Sequence, residues 1–240
     1  MKRVRKPSLV SGCIFMLSVL PVSAVISLSS IDTFAVNVEN WEAGDRPPTW
    51  NSGSGFDGSS GYLFHDSDGS SSGGKWLMWN DSTGSQDWLG DYTAAGVSAI
   101  SFWANNQTGA DRNFWISFEG PGGDFVTEAI VLPGNGQWTQ YTVDLSSLSY
   151  FSGSGGTGNL SDTLGNVSRV AMLADDSSGV GLNINNNLGI VRPGTSVSEI
   201  WIDNIEAVPE PATYVLFMGM SMLGYMLKRH SPKRSPKPVI

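Results

Sequence analysis

The stretch "NFWISFE" (residues 113–119) decides the fold class of this 240-residue chain. Phe114, Ile116 and Phe118 occupy every second position, and successive side chains of a β-strand point to opposite faces. These three residues therefore share one face of a predicted strand. The same period of two recurs in "QWTQYTVDL" (137–145), where one face carries Thr139, Tyr141, Val143 and Leu145.

Eight further runs are rich in Val, Ile, Phe, Trp and Tyr and are separated by clusters of Gly, Ser, Asn and Asp, as strands are by turns. They lie at residues 32–39, 61–66, 75–79, 97–104, 125–132, 168–175, 188–193 and 199–208. A short helical turn is predicted at 161–167, with Ser161 or Asp162 as its N-cap. Closely spaced strands without alternating helices predict an all-β protein, an antiparallel two-sheet sandwich.

The amino terminus has the pattern of a secretory signal peptide. Basic residues precede an apolar run at 9–22, and Val22-Ser23-Ala24 offers the small residues that signal peptidase requires. We therefore expect residues 1–24 to be removed on export. Because Cys13 is the only cysteine, the exported domain cannot be held together by disulfides.

The carboxyl terminus combines a short motif, an apolar segment and a basic tail. Residues 212–227 contain no charge, but a helix of that length spans roughly 24 Å, which is short for a bilayer core of about 30 Å. Residues 228–240 carry five basic side chains, which belong on the cytoplasmic side of a membrane. The four residues ahead of the apolar segment are Val208, Pro209, Glu210 and Pro211.

Residues 208–240 resemble the PEP-CTERM sorting signal. The resemblance implies that an exosortase-type membrane protease reads residues 208–211, cuts near them and passes the protein to the cell surface or extracellular matrix of a Gram-negative bacterium. The inner-membrane form would then be a single-pass intermediate, with transient membrane contact through residues 212–227. A permanent single-pass anchor is the alternative.

The charge distribution excludes one class of partner. Nine of the 14 basic residues lie in the two terminal segments, whereas all 22 acidic residues lie between Asp32 and Glu210. The exported part thus has five basic and 22 acidic residues, a formal charge of −17. A basic patch is the footprint of nucleic-acid binding, so we predict no nucleic-acid partner.

Several stretches between residues 25 and 207 together resemble known modules. "DWLGDYTAAGVSAISFW" (87–103), "GNGQWTQYTVDL" (134–145) and "LSDTLGNVSRVAMLAD" (160–175) are similar to the laminin-B type of domain. "WEAG" (41–44) and "IWIDNI" (200–205) are similar to the opening and closing motifs of jelly-roll carbohydrate-binding modules and galactose-binding-like domains. The resemblance implies a jelly-roll fold for adhesion or glycan binding, without chemistry of its own.

Tryptophan is the residue type that a sugar-binding surface would use, because the apolar C–H faces of sugars stack on aromatic rings. If Phe102, Phe114, Ile116 and Phe118 point inward, then Trp103 and Trp115 lie on the opposite side of their strands. Those two residues are the first candidates for a glycan platform. Loop-proximal second candidates are Trp76, Trp79 and Trp88, and a place in the core is the alternative for each tryptophan.

A structural calcium ion is the only cofactor that the sequence favours. In the jelly-roll modules named above, a Glu of the opening motif and an Asp of the final strand often hold calcium, which the resemblance transfers to Glu42 and Asp203. Carboxylate oxygens suit this hard cation. The alternative is that Asp203 only caps a strand.

No motif predicts catalysis. The run from Gly69 to Gly73 matches Gly-x-Ser-x-Gly formally, but such a nucleophile needs a later histidine, and His65 precedes it. We therefore expect a non-enzymatic exported protein that binds polysaccharide or matrix partners after processing by signal peptidase and the exosortase-type protease. A purely structural matrix component and, third, a secreted glycan-active enzyme remain as alternatives.

Overall fold

The computed structural model describes residues 26–43, 48–53, 55–58, 61–67, 76–83, 86–152, 156–176 and 198–209. The predicted signal peptide, the apolar segment with its basic tail, the predicted strand at 188–193 and the Gly-x-Ser-x-Gly run lie outside these ranges. Within them, no helix combines the length and the apolar character that crossing a bilayer requires.

The described residues form two antiparallel sheets, so the predicted all-β sandwich is confirmed. The first sheet has the strand order β10-β6-β13-β4-β3, with β1 also paired to β13. Its strands are β1 (Ile31–Asp32), β3 (Thr49–Asn51), β4 (Tyr62–Ser67), β6 (Val97–Asn106), β10 (Thr139–Asp144) and β13 (Ser198–Pro209).

The second sheet has the order β11-β8-β7-β12-β5-β2, with β9 also paired to β7. Its strands are β2 (Glu42–Ala43), β5 (Trp76–Asp81), β7 (Arg112–Gly120), β8 (Gly123–Val126), β9 (Ile130–Leu132), β11 (Ser149–Ser152) and β12 (Arg169–Asp176). Every recorded strand pair is antiparallel.

The core lies between the inner faces of the two sheets, as the period of two predicts. Phe114, Ile116 and Phe118 are fully buried. The ring of Phe114 meets that of Phe102 on β6 with centroids 5.3 Å apart, which joins the two sheets. Tyr141 pairs with Phe102 and stacks on it at 5.6 Å, so the predicted inner face of residues 139–145 is also confirmed.

The short helices depart slightly from prediction. Helix α2 (Leu160–Leu164) is capped by Asn159, whose side chain accepts from the N–H of Ser161, so the predicted N-cap residues are wrong by two or three positions. Helix α1 (Tyr92–Ala95) was not predicted; it begins after Asp91, whose carboxylate accepts from the N–H of Ala94. It ends at Gly96, whose φ of 73° favours glycine. A 3₁₀ turn covers Leu145–Ser147.

Two predicted strands are broken in the structure. The stretch 125–132 divides into β8 and β9, because the hydroxyl of Thr127 accepts the N–H of Ile116 where a strand would offer a carbonyl. The stretch 32–39 leaves the sheet after Asp32, and Phe34 adopts a positive φ of 48°. The ring of Phe34 is nevertheless fully buried, so tertiary packing outweighs the local strand pattern.

A buried carboxyl cluster stabilises the chain around β1. The indole N–H groups of Trp41 and Trp88 donate to Oδ2 of Asp32 at 2.6 and 2.7 Å. Burial raises the pKa of Asp32 to about 6. Burial and the negative charge of Asp32 raise the pKa of Glu39 to about 7, and the two carboxyl groups share a hydrogen bond. One proton therefore belongs to this pair near neutral pH.

We predict that Glu39→Gln makes the protein less sensitive to pH. Both folded-state pKa values lie above the usual 3.8 and 4.5, so the contribution to stability is fully present below about pH 4 and is lost as the pH rises through 6 to 7. A neutral amide keeps a hydrogen bond to Asp32 without ionising. At pH 8 the variant should gain roughly 1 kcal/mol in free energy of unfolding, measured by urea titration, since solvent screens the charge of the partly exposed Glu39.

The matched control for that experiment is Glu128→Gln, which changes an exposed glutamate. Its unfolding free energy should follow the wild-type pH profile. An equal effect of both variants, or no effect of Glu39→Gln between pH 4 and 8, would contradict a shared proton at the Asp32–Glu39 pair.

Candidate functional site

Trp103 and Trp115 do not form the single platform that the sequence suggested. Trp103 lies on β6 of the first sheet and Trp115 on β7 of the second, and their neighbours Phe102 and Phe114 meet in the core. The two tryptophans therefore point out of opposite sides of the sandwich. Trp115 is only 6% exposed, which leaves no free ring face for a sugar, and the prediction is wrong for this residue.

Trp88 is likewise not a surface candidate. It is fully buried, donates to Asp32 and lies 6.5 Å from the ring of Trp41. Its carbonyl accepts the hydroxyl of the buried Tyr92. The loop-proximal position that the sequence indicated is correct, but the side chain turns into the core to satisfy the buried carboxylate.

Trp79 lies on the outer side of the second sheet beneath an arginine. The guanidinium carbon of Arg169 sits 5.3 Å from the centre of the indole ring, a cation–π geometry. Arg169 also contacts Asp81 at 3.0 Å and Glu119 at 3.3 Å. The exposed side of Trp79 is thus partly covered. Trp76 begins β5 in the same sheet, opposite Ala174 in register.

The pKa values of two carboxyl groups near Arg169, those of Asp81 and Asp124, shift in opposite directions. Burial opposes ionisation of Asp81, but hydrogen bonds from Thr83 and the charge of Arg169 lower its pKa. Burial and the charge of Glu119 raise the pKa of Asp124 to about 6, although Arg169 acts against this. Arg169 is the cation that keeps these carboxylates together on one face.

An aromatic cluster occupies the outer side of the first sheet, and the sequence did not predict it. Trp201 stands between the fully buried Ile200 and Ile202 on β13, so its side chain points outward. Tyr62 stacks on Trp201 with centroids 4.6 Å apart and planes 24° apart. Trp138 meets Tyr62 edge-on at 5.8 Å and lies 6.2 Å from Trp201. Both tryptophans are half-buried, so each keeps exposed ring surface.

Trp103 extends this cluster toward β6. Its ring stacks against Phe56 at 4.4 Å, with planes 11° apart. Asp203 pairs with Trp103 across the sheet, and its carboxylate accepts the N–H of Phe56 at 3.0 Å. Trp201 pairs with Asn105, so Trp103 and Trp201 are diagonal neighbours across the two strands, with Cα atoms ~7–8 Å apart. We call Phe56, Tyr62, Trp103, Trp138 and Trp201 the aromatic face.

Polar groups surround the aromatic face in fixed positions. Glu199 accepts the indole N–H of Trp201 at 3.1 Å. Asn105 donates to the carbonyl of Gly136 and accepts from Gln107 at 2.7 Å. Burial, followed by the charge of Glu199, raises the pKa of Tyr62, so its hydroxyl stays protonated at neutral pH. Such groups can donate to and accept from ligand hydroxyls.

Positively charged side chains are distributed unevenly between the two sheets. Arg112 and Arg169 are the two Lys or Arg residues within the described ranges, and both belong to the second sheet, while His65 of the first sheet is buried. The aromatic face therefore has acidic and neutral polar neighbours among the described residues, but no described basic one.

The sequence contained a signal for Trp201 that the prediction did not use. In "EIWIDNI" the tryptophan alternates with two isoleucines, which places it outward if they face the core. Trp138 carried a similar signal, because it alternates with the face of Thr139, Tyr141 and Val143. Tyr62 carried none, and the meeting of the three rings depends on how three segments come together.

Glu42 and Asp203, the predicted calcium ligands, belong to different sheets. Glu42 lies on β2 and accepts the hydroxyl of Thr83 at 2.7 Å. Asp203 lies on β13, fully buried, and accepts the N–H groups of Phe56 and Asn204. Among the described residues, no group of three or more His, Cys, Asp or Glu side chains could hold a metal ion. The calcium ion stays a prediction.

The sorting motif begins inside the folded domain. Val208 and Pro209 are the last residues of β13, paired with Ala99 and Val97 of β6. The strand thus continues two residues beyond the predicted domain end at 207. Glu210 and Pro211 lie outside the described residues.

Comparison with known proteins found similarities for both the sorting motif and the folded domain. The PEP-CTERM protein-sorting motif family matches residues 207–229. Among curated proteins, none matches the sequence. The chain therefore carries a sorting signal of the kind that directs export and anchoring at the membrane.

Among solved structures, the domain is similar to carbohydrate-binding jelly rolls. The Family 11 module from Clostridium thermocellum, in complex with a β-1,3-1,4-mixed-linked tetrasaccharide, aligns at 15% identity and TM-score 0.48, over 74% of this chain and 93% of that one. An exo-β-agarase aligns at 14% identity and TM-score 0.51, over 77% of this chain and a quarter (25%) of the agarase. A CBM22 xylan-binding domain from Paenibacillus barcinonensis aligns at 10% identity and TM-score 0.43, over 77% of this chain and 98% of that domain.

At these identities the likeness concerns the fold alone, and the expected sandwich fold is confirmed by the two antiparallel sheets, with which the agarase alignment agrees. The laminin-B resemblance stays a prediction. The molecule is a two-sheet jelly-roll module whose last strand contains the start of a PEP-CTERM sorting motif.

We predict that Arg169→Met destabilises the domain through charge. Without the guanidinium, Asp81, Glu119 and Asp124 repel one another on a partly buried face, and the free energy of unfolding should fall by roughly 1–2 kcal/mol at pH 7. At pH 4 the loss should be smaller because Asp124 is then protonated. Urea unfolding at both pH values measures the difference.

Arg169→Lys is the control, since it keeps the positive charge without the planar fork and should recover part of the loss. An equal loss for Arg169→Met at pH 4 and pH 7 would mean that packing on Trp79, not charge, accounts for the effect.

Proposed function

We propose that this protein is a non-enzymatic, exported polysaccharide-binding protein that uses the aromatic face. One observation carries the proposal: Tyr62, Trp138 and Trp201 are packed together on the outer side of a sheet whose inner side already fills the core. The exposed ring surface of Trp138 and Trp201 suits the apolar faces of sugar rings, and Tyr62, only 6% exposed, supports those two rings by packing against them.

The polar groups around these rings support the same proposal. Ligand sites combine a mostly apolar surface with a few fixed donors and acceptors that orient the ligand. Glu199 provides such a group beside Trp201, and the amide of Gln107, held by the buried Asn105, provides one just beyond β6. Sugar hydroxyls can satisfy both kinds of group at once.

The carboxylates of this face favour binding over catalysis. Glycoside hydrolysis needs two carboxyl groups that are free to exchange protons with the substrate. Asp203 is fully buried and accepts two backbone N–H groups, which hold it in a structural position beneath Phe56. Glu199, beside Trp201, already accepts an indole N–H.

The sorting motif supports the cellular setting that we propose. Signal peptidase would release the amino terminus, and an exosortase-type protease would process the chain near residues 208–211. The product would lie at the cell surface or in the extracellular matrix of a Gram-negative bacterium. A bacterial exopolysaccharide is then the partner class that the domain meets first.

We predict that Trp201→Ala weakens polysaccharide binding by roughly tenfold or more, because the loss of one stacking ring costs on the order of 1 kcal/mol beyond its buried area. Affinity electrophoresis in gels containing mixed-linked β-glucan, xylan or a bacterial exopolysaccharide preparation measures the effect. Thermal melting of the variant shows whether the domain remains folded.

The matched control is Trp79→Ala, which removes a half-buried tryptophan from the opposite side of the sandwich and should leave binding unchanged. Equal losses in both variants would argue against the aromatic face. An unretarded wild-type domain would instead support a purely structural matrix component, and release of oligosaccharide would support a glycan-active enzyme.

We also predict that replacing Glu210 and Pro211 by alanine stalls processing while leaving export intact. These two motif residues follow the last strand, so their replacement does not change a strand pair. The variant should accumulate uncut in the inner membrane, which fractionation and intact-mass measurement reveal. Normal release of the double variant would show that the segment 208–211 is not the signal that is read.

A further inference from the structure

Half of the sorting motif is part of the central strand of the first sheet. β13 pairs with β6 along one edge, and with β4 and β1 along the other. At its end, Val208 pairs with Ala99, and Pro209 pairs with Val97 and is buried. The motif residues Val208 and Pro209 are thus held by the fold.

The residues just before the motif hold this strand end in place. Ala207 is 1% exposed, and its N–H donates to the carbonyl of Ser30 at 3.0 Å. Ile205, two residues earlier, is fully buried in the core. Peeling back β13 as far as Glu206 would break pairs on both edges of the strand and expose buried Ala207, so opening to that point carries a free-energy cost.

A protease cannot take up a segment that is paired within a sheet, because peptide segments are bound in extended form with their backbone groups free for new hydrogen bonds. Val208 and Pro209 are paired along the β6 edge, and Glu206 just before them is paired with both β6 and β1. Cleavage before Pro209 in the folded protein would therefore require the end of β13 to detach first. Cleavage further along the chain requires less of the strand to detach, the further the cut lies beyond Pro209.

We propose that the exosortase-type protease acts on the folded domain and cuts on the carboxyl side of Pro209, so that the mature protein keeps Val208 and Pro209 in β13. The step is a hydrolysis that consumes one water. The peptide C–N bond breaks, the carbonyl carbon of the product gains the water oxygen as a carboxylate, and the tail leaves with a new amino group. The inference rests on the proteolytic processing proposed above and adds the position of the cleaved bond in the chain.

The same geometry places the domain against the membrane before the cut. Two residues, Glu210 and Pro211, separate the buried Pro209 from the apolar segment that begins at Ala212. An extended chain covers at most ~3.6 Å per residue, so the end of β13 lies within about 10 Å of that segment. The protease must therefore reach a tether of only a few residues beside a folded body.

Intact-mass and carboxyl-terminal peptide analysis of the wild-type protein from the cell-surface fraction tests the proposal. The expected product ends at Pro209 or at a later residue before the apolar segment. A product that ends at Val208 or earlier would overturn the inference while leaving processing itself established. A surface species that still carries residues 228–240 would overturn the proposed processing and, with it, this inference.

A second measurement separates protection by the fold from the preference of one enzyme. The full chain without its signal peptide, purified in detergent, is digested with a broad-specificity protease. Because β13 is paired to its end, the resistant core should retain Pro209. A core trimmed to before Ala207, in a sample that keeps its β-sheet circular dichroism, would show that the strand end is open and would overturn the proposal.

Discussion

The pairing of β13 with β6, β4 and β1 is the constraint on which the rest of the structure depends. This one strand sends Ile200, Ile202 and Ile205 into the core and Trp201 to the outside. A bulge after Asp203, with Asn204 at a positive φ of 49°, returns Ile205 to the inner face after the irregular step. This strand of twelve residues therefore contributes to the core, to the aromatic face and to the start of the sorting motif.

A domain without disulfides depends on burial for its stability, and one buried carboxylate here has partners that offset the cost of its burial. Asp32 sits among aromatic rings, where an isolated charge would be costly. Two indole N–H groups and a protonatable neighbour, Glu39, satisfy it instead. The tryptophans near β1 are therefore structural, whereas those on the outer side of β13 are available to a ligand. The same residue type performs two tasks, separated by which side of a sheet it occupies.

Prediction from the sequence succeeded where one local pattern decided the outcome. The inward set around Phe114 and Tyr141 follows from period two, and both strands were found. It failed for Trp88 and Trp115, because an outward or loop position does not reveal what covers a side chain. It also missed the meeting of Tyr62 and Trp138, since their contact joins residues far apart in the chain.

The sequence by itself determined the fold class, the acidic character of the exported part, and the presence of a sorting signal at its end, because alternation, charge and motif are local properties that any chain conformation preserves. The tertiary structure decided which tryptophans share a surface and that Val208 and Pro209 belong to a strand. Those facts depend on which strands become neighbours. Strand order is set by the burial of all the inner faces together, a property of the whole core that no single stretch contains.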